Sequence, residues 1–389
     1  MTAERRPLRL LFFYDRIYPE DLGGVEHRNR ELAFALAERG HEITLAGWSS
    51  QEETPRPGVR VVSLGRPASF YNDNGKRKTS NAITLAWQTL TQLDLEGFDL
   101  IETANIPYLH LWPLAWRARL RRVPLLVTWY EYWGRYWRDY LGAKWPLYAL
   151  IERQSAVLGA RTVATSELTR ARLAARRGER RGRTDILACG VDARRVLAAA
   201  REGSEKPAAA PLIYAGRLMK GKRVGLLLEA VARVEWSSGA LLTVIGTGPE
   251  EAALHRMAAD LELGGKVEFV GRLETSVDVW RAMGRARIAV QPSSREGFGM
   301  FPLEAMAAGL PVVYAASEES AVAELVRHDF DGLECEPTAA GLAEGLQRVL
   351  DDEALYERLA SSAADRGASY GWDRIAEQTE QICYEMLGT

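Results

Sequence analysis

A chain of 389 residues is too long for one ordinary domain and suggests two. A net charge of −2 offers no basic field for nucleic acid, and the hydrophobic share of 47% with 26% charged residues is that of a normal globule. The three cysteines, Cys189, Cys335 and Cys383, lack metal-ligand spacing, so neither a disulfide framework nor a zinc site is expected, and a reducing cytoplasm fits best. The N-terminal apolar run is too short for a signal peptide, and no run of about 18 apolar residues predicts a membrane-spanning helix.

Leu8 to Tyr14 reads as a buried strand, followed by a loop with Pro19, Gly23 and Gly24, a helix from Val25 to Arg39 closed by Gly40, and a strand from Ile43 to Gly47. This is a βαβ unit without the G-x-G-x-x-G and acidic residue that a nicotinamide site needs. The alternation continues through strands at Val59–Leu64, Leu100–Thr103, Leu125–Thr128 and Thr162–Thr165, which predicts a doubly wound parallel sheet. Residues 66–82 are polar and basic, and read as a mobile loop.

Arg117, Arg119, Arg121 and Arg122 follow Trp112 and Trp116 on a helix. A solvated face over an apolar seam is the ordinary reading, with peripheral membrane contact as the second. Thr128 to Tyr148 carries Trp129, Trp133, Trp137 and Trp145 with five tyrosines, more rings than a helix seam needs, so some are expected to stack on a sugar or cover an apolar acceptor. The basic run from Arg170 to Arg183 reads as a helix end and loop, with contact to an anionic membrane or phosphorylated acceptor as the minor alternative.

Residues 198–210, alanine-rich and without periodic apolar positions, are the expected linker between a first domain at 1–197 and a second at 211–370. Strands at Pro211–Ala215, Leu241–Gly246, Val267–Val270 and Ala286–Gln291 follow. Arg217 and Lys222 leave the first of these five residues apart, an Arg fork and a Lys point charge suited to a diphosphate; Lys220 competes. After the last of them comes R-E-G-F-G-M-F-P-L-E-A-M-A-A-G-L-P, Arg295 to Pro311. Here a glycine-bearing loop enters a helix near Phe301, a start that collects anions, with Glu296 in the loop and Glu304 in the first turn as carboxylates able to accept from vicinal diols. Complementing the helix dipole is the plainer reading of Glu304. Asp329-Phe330-Asp331 is read as a turn rather than a metal-binding D-x-D. Residues 371–389 form an amphipathic closing helix.

The string E-G-F-G-x-x-x-L-E-A-M-A-x-G-x-P-V resembles the carboxylate signature of retaining, nucleotide-sugar-dependent glycosyltransferases of family four, also called glycosyl transferases group 1. The resemblance spans nearly the whole chain and implies the α/β GT-B fold, two Rossmann-like parallel-sheet domains facing each other across a cleft, with the closing helix crossing back to the first. It implies sugar transfer from a nucleoside diphosphate sugar to a hydroxyl acceptor with no metal and no other cofactor. Arg217, Lys222 and Glu296 would then carry catalysis. Gly23, Gly24, Gly297, Phe298, Gly299, Met300, Phe301 and Glu304 would surround the donor, with Arg272 and Leu273 at its base. A nucleotide-sugar epimerase or a non-catalytic nucleotide-sugar-binding protein are the alternatives.

Three departures from the family pattern stand out. Tyr130 occupies the position of a histidine beside the donor sugar in T-x-H, and with Trp133 and Trp137 is the expected acceptor-side group. Cys189 replaces the asparagine of P-N-G-V-D and is read as packing, and Arg223 stands where the loop G-R-L-x-x-x-K-G carries glycine.

Overall fold

The computed structural model describes residues 6–19, 23–51, 54–65, 69, 78–177, 184–204, 210–236 and 239–388. The chain divides into two compact units, Met1–Gly190 with Trp372–Thr389, and Val191–Gly371.

The first unit runs β1 (Arg9–Arg16), α1 (Gly24–Glu38), β2 (Glu42–Trp48), β3 (Val59–Ser63), α2 (Thr79–Thr91), β4 (Leu100–Ala104), α3 (Leu111–Arg121), β5 (Leu125–Trp129), α4 (Tyr136–Leu141), α5 (Trp145–Ser155), β6 (Arg161–Ala164), α6 (Glu167–Arg177) and β7 (Thr184–Ile186). The second has α7 (Ala193–Ser204), β8 (Leu212–Ala215), α8 (Val224–Val231), β9 (Leu242–Ile245), α9 (Glu251–Asp260), β10 (Val267–Gly271), α10 (Ser276–Met283), β11 (Ile288–Gln291), α11 (Met300–Ala307), β12 (Val312–Ala315), α12 (Val322–Leu325), β13 (Gly332–Cys335), α13 (Ala339–Asp351) and α14 (Glu353–Ala368). The last helix, α15 (Trp372–Leu387), belongs to the first unit.

Both sheets are parallel. The first has strand order β3-β2-β1-β4-β5-β6-β7 and the second β10-β9-β8-β11-β12-β13. The order reverses direction beside β1 and β4 in one, and beside β8 and β11 in the other. At such a switch point adjacent connections leave on opposite faces, so a crevice opens outside the carboxyl ends of those strands. Strands buried on both faces explain why the continuous apolar runs were legible as strands. β7 and β13, three and four residues long, were not recognised, because so short a run has no readable period.

The linker expectation is corrected. Residues 198–204 are helical and belong to α7 in the second unit. Val196, Ala199, Ala200 and Gly203 recur at helical spacing and are buried, and small residues leave too little apolar bulk for the period to show. They let α7 and α10 approach backbone to backbone: a Cβ on Gly203 would lie 1.9 Å from the Arg281 carbonyl oxygen, and one on Gly284 would lie 1.7 Å from that of Ala200. Residues 205–209 fall outside the described residues, as do most of the 66–82 loop and 178–183 of the basic run.

α15 buries Trp372, Ile375, Ala376, Thr379, Ile382 and Cys383 along one stripe in the core that α1, β1 and β2 share. Its Glu380 accepts from Arg39 at 2.5 Å and meets His41 Nε2 at 2.9 Å. All three cysteines are buried thiols.

His110, fully buried in the first unit, lies 3.0 Å from the Thr103 hydroxyl through Nε2. That hydroxyl spends its own proton on the Phe13 carbonyl, so Nε2 carries the hydrogen of a neutral ring. Burial pushes the His110 pKa down to about 3 from 6.5. The folded protein therefore stays unprotonated there while the unfolded chain takes up a proton below pH 6.5, and stability falls as pH drops from 6.5 towards 3, by about 1.4 kcal/mol per unit from this group. Unfolding free energies from urea titrations at pH 7 and pH 5 should differ by about 2 kcal/mol less in His110→Gln than in the parent. An unchanged difference would show that the ring is protonated in the fold.

Candidate active site

In the second unit Lys222 and Glu296 meet at the switch point, with Arg217 at the exit of the same strand as Lys222, whereas Arg272 and Leu273 follow β10, two strands away from it. β8 and β11 are neighbours, Ile288 opposite Leu212 and Ala289 opposite Ile213, so their exit loops emerge side by side. The Ser294 amide donates to the Gly221 carbonyl at 3.1 Å, and its hydroxyl to the same oxygen at 3.2 Å. This cross-tie brings the Lys222 ammonium to 2.6 Å from Glu296 Oε1. The Gln291 side-chain amide donates to the same carboxylate oxygen and, at 2.9 Å, to Ser293. The side chains of Lys222 and Glu296 keep only 27% and 11% of their exposure, so the pair is held in a partly desolvated place where charge is weakly screened.

Arg217 is exposed at the exit of β8, and Lys220 is exposed beyond it. Arg223 takes φ 51, the left-handed conformation that glycine adopts at least cost. Its guanidinium donates to the Pro337 carbonyl at 2.8 Å.

Gly299 has φ 109 and caps α11, which starts at Met300. The first internal bond of this helix runs from the Leu303 amide to the Gly299 carbonyl, and Pro302 has no N–H, so the amides of Met300 and Phe301 lie outside the internal ladder at the positive end of the dipole. Glu304, half-buried, lies beyond the first turn, a correction of one residue step that follows from the earlier start. The rings of Phe298 and Phe301 pack against Tyr370 and Tyr214 at centroid distances of 6.1 and 6.0 Å, so these residues offer a ligand chiefly their backbone. Burial first, and then the charge of Glu296, push the Tyr214 phenol well up. Arg272 is exposed and Leu273 half-buried at the exit of β10, after Gly271 at φ 75.

Asp331 is a turn residue, as its sequence context indicated. Its carboxylate accepts from Arg327 Nε and Nη2, both at 2.7 Å, from the Arg327 amide at 3.1 Å and from Ser362 at 2.8 Å. Four donors occupy the oxygens that a metal would need.

In the first unit Gly23 caps α1 and Gly24 is its first residue. A Cβ on Gly23 would lie 2.7 Å from Glu26 Oε2, whose carboxylate pairs with buried Arg16 at 2.8 Å. Tyr130 leaves β5 half-buried and accepts from Arg28 Nη1 at 3.2 Å. The same nitrogen lies 3.2 Å from Glu102 Oε1, to which Thr128 donates at 2.6 Å. Burial, opposed by the Arg28 charge, pushes the Tyr130 phenol well up, so it stays a neutral donor.

The expectation of exposed stacking rings is corrected for Trp137. Only 7% exposed, it is packed 4.5 Å from Trp133, 5.3 Å from Tyr148 and 6.1 Å from Tyr108, in the core beneath α2 to α5. Trp133 is half-buried against it. The ring density serves this core because the loop between β5 and α4 is folded inward on Glu152. That carboxylate accepts from the Trp133 amide at 2.8 Å, the Gly134 amide at 2.7 Å and the Tyr108 hydroxyl at 2.9 Å. Burial pushes the Glu152 carboxyl up, and those amides hold it down.

Reasoning from sequence missed Gln291, Arg28, Glu102 and Glu152. The available signal was a charge inside an otherwise apolar strand, as in L-I-E-T at Leu100 to Thr103, which requires a buried partner.

Two doubly wound parallel α/β units, the second with the Lys222–Glu296 pair at its switch point, define the class of fold. Residues 200–366 match the glycosyl transferases group 1 family, and residues 23–190 match the glycosyl transferase 4-like domain. The chain belongs to the group 1 glycosyltransferases, enzymes that transfer sugar. It is 28% identical to the glycogen synthase of Mycobacterium tuberculosis, over 96% of this chain and 94% of that one. Sucrose-phosphate synthase from Thermosynechococcus elongatus superposes with a TM-score of 0.82 at 22% identity, covering 98% and 99% of the two chains. Anabaena HepE in complex with UDP-glucose gives 0.73 at 17% identity, covering 97% and 100%. The fold is GT-B.

Proposed function

We propose that this enzyme moves a sugar from a nucleoside diphosphate sugar to a hydroxyl acceptor with retention at the anomeric carbon, without a metal. The observation that carries this reading is the Lys222–Glu296 contact at the β8 and β11 exits, beside the amino end of α11. A cation, a diol-accepting carboxylate and helix amides within one loop junction match a diphosphate joined to a sugar. A UDP-sugar is the first donor to test, since the HepE neighbour was solved with UDP-glucose.

In the proposed step the acceptor oxygen attacks the anomeric carbon on the face from which the diphosphate departs. The bond from that carbon to the phosphate oxygen breaks, and the acceptor proton passes to the departing phosphate. Arg217 and Lys222 neutralise the charge that builds there, with the amides of Met300 and Phe301 at the start of α11 as further donors. Glu296 accepts from the donor sugar's hydroxyls and Glu304 from the ribose diol, with the backbone at Arg272 and Leu273 meeting the base. Tyr130 and Trp133 are the acceptor-side candidates. The reducing cytoplasm is the proposed compartment.

With UDP-glucose and a panel of hydroxyl acceptors, UDP release is expected to depend on the acceptor, and proton NMR of the first product formed should show the donor's anomeric configuration. Turnover should persist in excess EDTA, because protein cations do the metal's work. Inverted product overturns the same-face step. Complete loss in EDTA, restored by Mg²⁺ or Mn²⁺, overturns the metal-free reading.

A further inference from the structure

The first unit carries an apolar face that its own core does not use. α2, α3 and α5 all pack on the same buried cluster, and Arg117 Nη1 donating to the Thr89 carbonyl at 2.6 Å ties α3 to α2. The Tyr148 and Thr79 hydroxyls, 2.8 Å apart, tie α5 to the start of α2. The three helices thus form one layer. Of the eleven large hydrophobics exposed among the described residues, seven lie on this layer, which is a patch rather than chance scatter.

The patch follows helical spacing. On α2, Ile83, Trp87 and Leu90 fall within an arc of about 60° opposite buried Leu85, at 100° per residue. Trp116 and Leu120 stand opposite Leu111 and Ala118 on α3, and Leu147 and Leu150 opposite Glu152 on α5. Trp87 and Trp116 are 64% and 60% exposed.

The charges around this face have one sign. α2 has no charged residue, α3 has only arginines, and the one carboxylate on α5, Glu152, is buried. Arg119, Arg121, Arg122, Lys144 and Arg153 are exposed, with Asp139 on the neighbouring α4 and Asp94 and Glu96 after α2 as the nearest exposed acids along the chain. Tryptophans between aliphatic side chains and cations fit the headgroup layer of a bilayer with anionic lipid. A two-fold dimer through the same face would instead set arginine against arginine.

We propose that the α2–α3–α5 face docks the enzyme on an anionic lipid surface. The inference is independent of the donor site in the second unit.

The test is sedimentation of the full chain with vesicles of phosphatidylcholine mixed with phosphatidylglycerol, beside vesicles of phosphatidylcholine alone. The chain should partition to the mixed vesicles, less so as salt is raised. Arg119→Gln, Arg121→Gln and Arg122→Gln together should weaken partitioning by about 100-fold, from roughly fivefold per cation. Trp87→Ser with Trp116→Ser should weaken it by about tenfold or more. Both variants should keep the parent's melting temperature and its turnover on a water-soluble acceptor, so that loss of docking is distinct from failure of the transferase reading. Absence of sedimentation with mixed vesicles, equal binding to the neutral ones, or parental binding by either variant overturns the proposal. A dimer in gel filtration that Trp87→Ser with Trp116→Ser dissociates, with no vesicle binding, assigns the face to a second copy and likewise overturns it.

Discussion

Arg217→Ala and Lys222→Ala are each expected to slow turnover at saturating donor by about 100-fold or more, the scale for losing one preorganised donor to developing charge. Neither side chain supports the core: Arg217 is exposed and Lys222 is partly so. Melting temperatures should therefore stay near that of the parent. Lys222→Ala has a second consequence, because it leaves the Glu296 carboxylate with the Gln291 amide but without its cation. Its effect should exceed that of Arg217→Ala and extend to the donor Michaelis constant. Lys220→Ala is the control from the same loop. If both variants turn over at nearly the parental rate, the diphosphate clamp lies elsewhere and Lys220 is the next group to remove. Arg223 is a weaker substitute, since its guanidinium already holds the Pro337 carbonyl.

The largest expected effect on stability comes from Arg28→Met. Arg28 is fully buried, and its burial penalty is overcome by the facing Tyr130 and Glu102, which raise its pKa further above the usual arginine range. Removing the cation strands the Glu102 carboxylate, 2% exposed, with the Thr128 hydroxyl as donor and no counter-charge from Arg28. Breaking a buried pair from one side costs about 3–5 kcal/mol. Nine of the eleven tryptophans lie in the first unit, so fluorescence during urea unfolding reports on the unit affected. Arg28→Met with Glu102→Met should recover much of the loss, because two apolar side chains leave no orphan charge. An Arg28→Met variant within about 0.5 kcal/mol of the parent would overturn the assignment of Arg28 and Glu102 as a stabilising buried pair.

Much of the architecture was legible because it rests on local rules. Continuous apolar runs such as Leu8 to Tyr14 and Leu125 to Thr128 can only be buried strands, and Gly299 before a helix with Pro302 in its first turn marks a start that any chain of L-residues would find. The same locality made Arg217, Lys222, Glu296 and Glu304 visible, since each lies within a short, specific string.

What the sequence could not decide was which distant groups meet. That Lys222 would pair with Glu296, 74 positions away, follows from β8 and β11 being neighbours at the switch point, a property of strand order rather than of either loop. Ring count alone suggested stacking surfaces at Trp133 and Trp137; the fold turned Trp137 inward because Glu152 draws the intervening loop onto the core, and put Trp87 and Trp116 outside instead. A ring has the same intrinsic hydrophobicity in either place, so only tertiary packing determines whether it is core or surface.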